Sequence, residues 1–375
     1  MTQADPVWLA AELIRRPSVT PQDAGAQDVL AEALTGLGFA VTRLRFGEID
    51  NLYARIGEGA PHFAFAGHTD VVPPGAIGAW SYDPFAGAMR AGTLYGRGAV
   101  DMKGGIAAFV AACAQHLAQA PRRGSISLLI TGDEEGAAID GTARLLAWLK
   151  ERGDLPEFCL VGEPTSRVRL GDVVKIGRRG SLNATITVFG TQGHVAYPDR
   201  ADNPAHRLAR ALAALTAVPL DAGSEHFEPS SLQITSIDIG NPAPNVIPAS
   251  AVARLNIRFN DRHSGAGLDA WLRASLARYA DRFEIETKVS GESFLTEPGP
   301  ALAMLAAAIA AECGAPPAFE TGGGTSDARF IARYCPVAEF GLVGDTMHQV
   351  DERVAIDDLW RLKAIYRRIL AEFLA

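Results

Sequence analysis

Apolar positions along this chain follow two rhythms, and the switch between them divides it. In the first 175 or so residues, short apolar runs such as His-Phe-Ala-Phe-Ala (62–66), Ser-Ile-Ser-Leu-Leu-Ile-Thr (125–131) and Phe-Cys-Leu-Val (158–161) read as strands buried on both faces. Between them, 6–16, 25–37 and 142–152 carry helical periodicity, and an alanine-rich helix is expected from Gly105 to about Gln119. Extended segments are expected at 39–46 and 51–56. Asp5 followed by Pro6 reads as a cap with proline in the first turn.

Near residue 178 the rhythm becomes a period of two. Leu182, Ala184, Ile186 and Val188 share one face of 180–189, and 231–239 and 251–259 alternate likewise. Helices fit 203–217 and 264–280, so 180–290 reads as two strand–helix–strand units with one polar sheet face. From about 293 the first rhythm returns, with a helix at 299–313, a glycine turn at 322–324, a strand at 337–341 and a helix at 356–373. The expected fold is α/β: a mostly parallel mixed sheet covered by helices, built from 1–178 and 293–375, with 179–292 inserted as an α+β domain.

Length supports that division, because 375 residues exceed one average domain. A net charge of −8 argues against nucleic acid or an anionic membrane as the main partner. No stretch reaches the roughly 18 apolar residues of a membrane span. The first ten residues lack the basic region and apolar run of a signal peptide. Cys113, Cys159, Cys313 and Cys335 are far apart and fit buried thiols in a reducing cytosol, so a cytoplasmic protein is expected.

The chemistry gathers where strands end. The run 126–130 leads directly into Asp133, Glu134 and Glu135, and uncompensated acids beside a core are unfavourable. His68, Asp101, Glu163 and His348 also stand at strand ends or interruptions, and α/β sheets bind ligands beyond the carboxyl ends of their strands. Each alone has a plain structural reading: Asp101 can cap the following helix, and Glu163 can be an exposed turn residue. Together, two imidazoles and several carboxylates without a thiol suit Zn(II), Co(II) or Mn(II). The donors exceed what one open site needs, which suggests two ions about 3.5–4 Å apart sharing a carboxylate. One acid must stay free to move protons, and Glu134 and Glu135 are both open to either role. Asp70 lies two residues beyond His68, where it can reach the other ring nitrogen.

Gly-His-Thr-Asp-Val-Val-Pro (67–73), Gly-Arg-Gly-Ala-Val-Asp-Met-Lys-Gly-Gly (96–105), Asp-Glu-Glu-Gly (133–136), Gly-Glu-Pro-Thr (162–165) and Gly-His-Val-Ala-Tyr-Pro (193–198) resemble the dinuclear-zinc aminoacylase/carboxypeptidase family. The resemblance spans essentially the whole chain. It implies a zinc-exopeptidase-like catalytic domain, and a lid at 179–292 through which a homodimer forms. It further implies that Asp101 bridges two zinc ions, with cobalt able to substitute. His68 and Glu163 would complete one site, and Glu135 and His348 the other. Glu134 would be the general base, Asp70 would orient His68, and His194 would donate to the oxyanion from the partner subunit. The other histidines and Lys103 are left structural or solvated.

Segments 175–181, 245–248, 322–327 and 346–352 look like those of family members that act on a succinylated diamino diacid. For such a small-molecule substrate, Arg178 and Arg258 are the expected carboxylate contacts, with Arg179 competing for the first role. Ser181, Tyr197, Asn245, Gly324 and Thr325 are expected to hydrogen-bond it. One departure is 344–347, where the family often carries an Asn shortly before the late histidine. The rivals are a family member acting on acetyl-capped amino acids and a non-catalytic metal-dependent peptide binder.

Overall fold

In the computed structural model, residues 4–119 and 123–375 are described, and Met1–Gln3 of the N-terminus read above lie outside them. The chain divides into two compact units. One takes the residues up to Ile176 with Thr296–Glu320 and Ser326–Ala375, and the other Gly177–Leu295 with Thr321–Thr325.

The first unit is built on an 8-stranded sheet in the order Ala40–Phe46, Ile49–Gly57, Ser125–Thr131, His62–His68, Phe158–Val161, Val337–Glu339, Val173–Lys175, Ala318–Glu320. Pairing is parallel through the middle, antiparallel at the Ala40–Phe46 edge, and antiparallel again between Val337–Glu339 and Val173–Lys175. His62–His68 and Ser125–Thr131 are buried along their whole length, as mostly apolar strands under helices are. Helix Lys103–Gln119 packs against Ile356–Phe373 and Pro6–Ile14. Asp5 caps the last of these, accepting from the N–H groups of Val7 and Trp8.

Aromatic rings fill the space between sheet and helices. Phe65 stacks on Phe109 at 4.2 Å, and Tyr366 meets both rings edge-on while donating to the Phe340 carbonyl at 2.7 Å. The Lys103 helix begins two residues before Gly105, and its first glycines allow a close approach. A Cβ on Gly105 would lie 2.7 Å from the Gly162 carbonyl, and one on Gly104 would lie 2.3 Å from the Ala99 carbonyl.

The second unit holds a 4-stranded antiparallel sheet in the order Ser231–Asp238, Ser250–Phe259, Gly180–Phe189, Phe283–Gly291. Leu182, Ala184, Ile186 and Val188 point to its buried face, where helices Pro204–Thr216 and Gly265–Leu276 supply Leu208, Leu212, Leu268 and Leu272. Polar residues alternate onto the other face, which explains the period of two. The four cysteines are free. Among the described residues no helix is long and apolar enough to cross a membrane.

Phe109→Ala removes a fully buried ring at the centre of the aromatic cluster, and should lower the unfolding free energy by about 3–5 kcal/mol in urea titrations.

Candidate metal centre

Parallel register brings the acids to His68. His68 pairs with Thr131, so residues 133–135 leave the sheet just beyond it. Ala66 pairs with Val161 on the other side, which sets Glu163 level with His68. Asp101 enters from the loop ahead of the Lys103 helix, and His348 from the loop after Val337–Glu339.

The result is a tight cluster within the first unit. His68 Nε2 lies 3.1 Å from Asp101 Oδ1 and 3.9 Å from Glu163 Oε1. His348 Nε2 lies 2.9 Å from Glu135 Oε1 and 3.2 Å from Asp101 Oδ2. Asp101 thus faces one imidazole with each oxygen. Two sets of three donors, His68/Asp101/Glu135 and His68/Glu134/Glu163, have ligand atoms all within 4.8 Å of one another. Such a donor set, free of thiols and crowded with carboxylates, fits a divalent metal ion.

The hydrogen bonds aim these donors. His68 Nδ1 lies 2.9 Å from the Asp70 carbonyl, which can only accept, so Nδ1 carries the proton and Nε2 is left for a ligand role. The Asp70 carboxylate oxygen nearest that ring is at 3.6 Å, because the carboxylate is engaged elsewhere. Its Oδ1 accepts from the Glu134 N–H at 3.2 Å, and its Oδ2 from the Glu135 N–H at 3.0 Å and the Thr20 hydroxyl at 2.7 Å. Asp70 therefore holds both His68 and the backbone that carries the two glutamates. Asp133 turns away and accepts from the N–H groups of Ile139 and Asp140, a structural role. Lys103 is likewise structural, donating to the Arg16 carbonyl at 2.8 Å.

Electrostatics separates the two glutamates further. Burial, then the charge of Glu163, raises the Glu134 pKa well above the usual carboxylate range, which suits a group that takes and returns a proton. Hydrogen bonds donated to the Asp101 and Glu135 carboxylates push His348 up to about 10. Burial opposes charge on His68, but Asp101, Asp70 and Glu163 outweigh it and raise its pKa well above the ordinary value. Burial works against the Asp101 carboxylate too, yet both histidines hold its pKa well below the usual range.

The remaining predicted residues lie in the second unit, in three groups. Arg178 Nη1 donates to the Gly324 carbonyl at 2.9 Å, with Thr325 next in the chain. Ser181 sits opposite Arg258 across the sheet, and its hydroxyl accepts from Asn256 at 3.2 Å. Arg258 Nη1 is buried with no hydrogen-bond partner among the described residues, whereas Arg179 donates to the Pro229 carbonyl and lies 3.8 Å from Glu228. Burial, then the charge of Arg179, lowers the Arg258 pKa. In the third group His194 pairs with Val246, next to Asn245, and its ring centroid lies 5.7 Å from that of Tyr197. His194 Nδ1 accepts from the Ala196 N–H at 3.1 Å, which leaves Nε2 as the donor of the neutral ring, and the side chain is exposed.

Three residues hydrogen-bonded to residues of the cluster or to Asp70 carry no reading of their own in the sequence: Thr20, Arg97 and Glu352. Glu352 closes the 346–352 segment and Arg97 stands between two glycines, but nothing local shows that either is buried.

A model of peptidase family M20/M25/M40 matches residues 64–372. The chain is 64% identical over 370 residues to a succinyl-diaminopimelate desuccinylase from Acidiphilium cryptum, covering 99% of each chain. It is 59% identical over 366 residues to one from Gluconobacter oxydans, covering 96% of each. The fold is similar to that of aminopeptidase PepT from Bacillus cereus, with a TM-score of 0.79 at 19% identity over 100% of both chains. An M20 family metallo-carboxypeptidase from Sulfolobus solfataricus gives 0.78 at 16% identity over 98% of each.

Both cluster histidines have raised pKa values and so carry a proton near neutrality, while a ligating ring must give up its second proton. Zn(II) uptake by chelator-stripped protein at pH 7 should therefore release protons, and affinity should strengthen as pH rises toward about 10. Calorimetry in buffers of different ionisation enthalpy reads the release directly.

Proposed function

The chain belongs to peptidase family M20/M25/M40, and from that premise we propose that it hydrolyses N-succinyl-LL-2,6-diaminopimelate to succinate and LL-2,6-diaminopimelate, within lysine and diaminopimelate biosynthesis. The observation that carries this reading is the end-to-end 64% identity with a relative of that activity, over a chain whose acids and histidines converge as described.

We further propose two zinc ions per subunit, with cobalt able to substitute. His68, Asp101 and Glu163 would hold one, and Asp101, Glu135 and His348 the other. Asp101's two oxygens, each facing a different histidine, support its place between them. When bound, the ions supply Lewis-acid polarisation of the scissile amide and acidify the attacking water.

The chain's own residues do the rest. Glu134 takes the proton of the attacking water and delivers it to the leaving amine, a role supported by its place beside His68 and Glu163. Asp70 keeps Glu134 and Glu135 on their respective tasks through the backbone. His194, from a second copy of the chain, donates its Nε2 proton to the developing oxyanion. Arg178 and Arg258 bind substrate carboxylates, and the unpaired Nη1 of Arg258 supports its part. Ser181, Tyr197, Asn245, Gly324 and Thr325 complete the substrate contacts. The domain at 179–292 serves as lid and homodimer interface, and the protein works in the cytoplasm.

Turnover of succinyl-capped over acetyl-capped substrate tests the specificity, and preference for the acetyl group would overturn it. Glu134→Ala should reduce kcat by about 10²–10⁴-fold while bound metal, counted by atomic emission, is unchanged. Retained turnover would rule out Glu134 as the proton carrier.

A further inference from the structure

Two buried charges stand beside the cluster without belonging to it. Arg97 and Glu352 are 2% and 0% exposed, and Arg97 Nη1 donates to Glu352 Oε2 at 2.7 Å across 255 positions of sequence. The other carboxylate oxygen accepts from the N–H groups of Val100 at 3.0 Å and Asp101 at 3.2 Å. The guanidinium reaches the opposite segment, donating to the Gln349 carbonyl at 3.2 Å and the His348 carbonyl at 3.4 Å. It also lies over the Trp80 ring, 5.2 Å from its centroid.

His348 has φ 63, the left-handed region that a side chain with a Cβ rarely adopts, so its backbone must be held from outside. Arg97 provides part of that hold. Stability alone is a poor account of the pair, since a buried ion pair generally gains little over an apolar pair of the same volume. The pair joins the loop bearing Asp101 to the loop bearing His348 through side chains, beside the backbone bond from the Gly96 N–H to the Glu352 carbonyl. His68 and Glu163 instead stand at the ends of strands of the sheet, whose pairing sets their positions.

We propose that Arg97 and Glu352 are positioning residues that set the spacing of Asp101 and His348. They thereby weigh most on the ion assigned to Asp101, Glu135 and His348, two of whose ligands stand on the joined loops, and less on the ion at His68, Asp101 and Glu163, which shares only Asp101 with them. This rests on the two-ion reading above. The pair touches neither substrate nor metal and acts through the two loops.

The test is Zn(II) titration of chelator-stripped full-length protein, wild type against Glu352→Gln and Arg97→Lys, by calorimetry with a competing chelator. Wild type should show two binding events. In each variant one should weaken about 10–100-fold, the usual effect of removing an outer hydrogen-bond partner, while the other weakens less. His348→Ala should abolish that same event. Equal weakening of both events, or no change, in variants that unfold as cooperatively as wild type overturns the proposal. So does loss of cooperative unfolding in both variants, which would make the pair purely structural. A single event in wild type instead overturns the two-ion reading, and this proposal with it.

Discussion

Repulsion among carboxylates is the constraint around which the first unit is arranged. Asp101, Glu134, Glu135 and Glu163 meet at one end of its sheet, with two imidazoles as their nearest basic partners. At an effective dielectric of 20, two like charges 4 Å apart repel by about 4 kcal/mol, so several such pairs rival the whole stability of a domain. The protein groups answer this in part by keeping protons: Glu134 and both histidines are shifted toward their protonated forms. Divalent cations offset that repulsion and favour ionised carboxylates around them. A site that is unfavourable when left to itself is thereby coupled to the metal it binds.

Holding such groups together requires neutral scaffolding, and the backbone supplies most of it. One carboxylate, Asp70, accepts from two consecutive N–H groups and a hydroxyl, so the Glu134–Glu135 turn is fixed without adding another positive side chain. Glu352 uses the same device on the Asp101 loop. The close contacts at Gly104 and Gly105 serve the same end, since a methyl group at either place would push the Lys103 helix away from the loop and strand end it packs on.

The second unit solves a different problem. Its sheet buries one face under two helices and leaves the other polar, which frees that face to carry arginines and hydroxyls. Arg258 is unusual there, a guanidinium with a buried donor and another arginine as its charged neighbour. A half-buried cation beside a like charge is unfavourable until an anion offsets it, which is the ground for the carboxylate contact proposed for Arg258.

Much of this was legible in the order of residues alone. Hydrophobic period distinguishes buried parallel strands from a half-covered antiparallel sheet because each buries a different fraction of its side chains, so the elements and the α/β class followed from the pattern. The strands Val173–Lys175 and Ala318–Glu320 escaped it, since three residues show no period. So did the antiparallel edge of the large sheet, because strand direction is a property of connections and partners. The acids and histidines at strand ends could be picked out by position and chemistry, since strand ends converge wherever neighbouring strands are parallel. The different surroundings of Glu134 and Glu135 could not, as adjacent residues share one local context. Only the tertiary structure sets Glu135 beside His348 and Glu134 among groups that raise its pKa. The Arg97–Glu352 pair belongs with these. Its partners are brought together by the packing of distant segments, and burial, which gives each charge its meaning, is decided by everything around it.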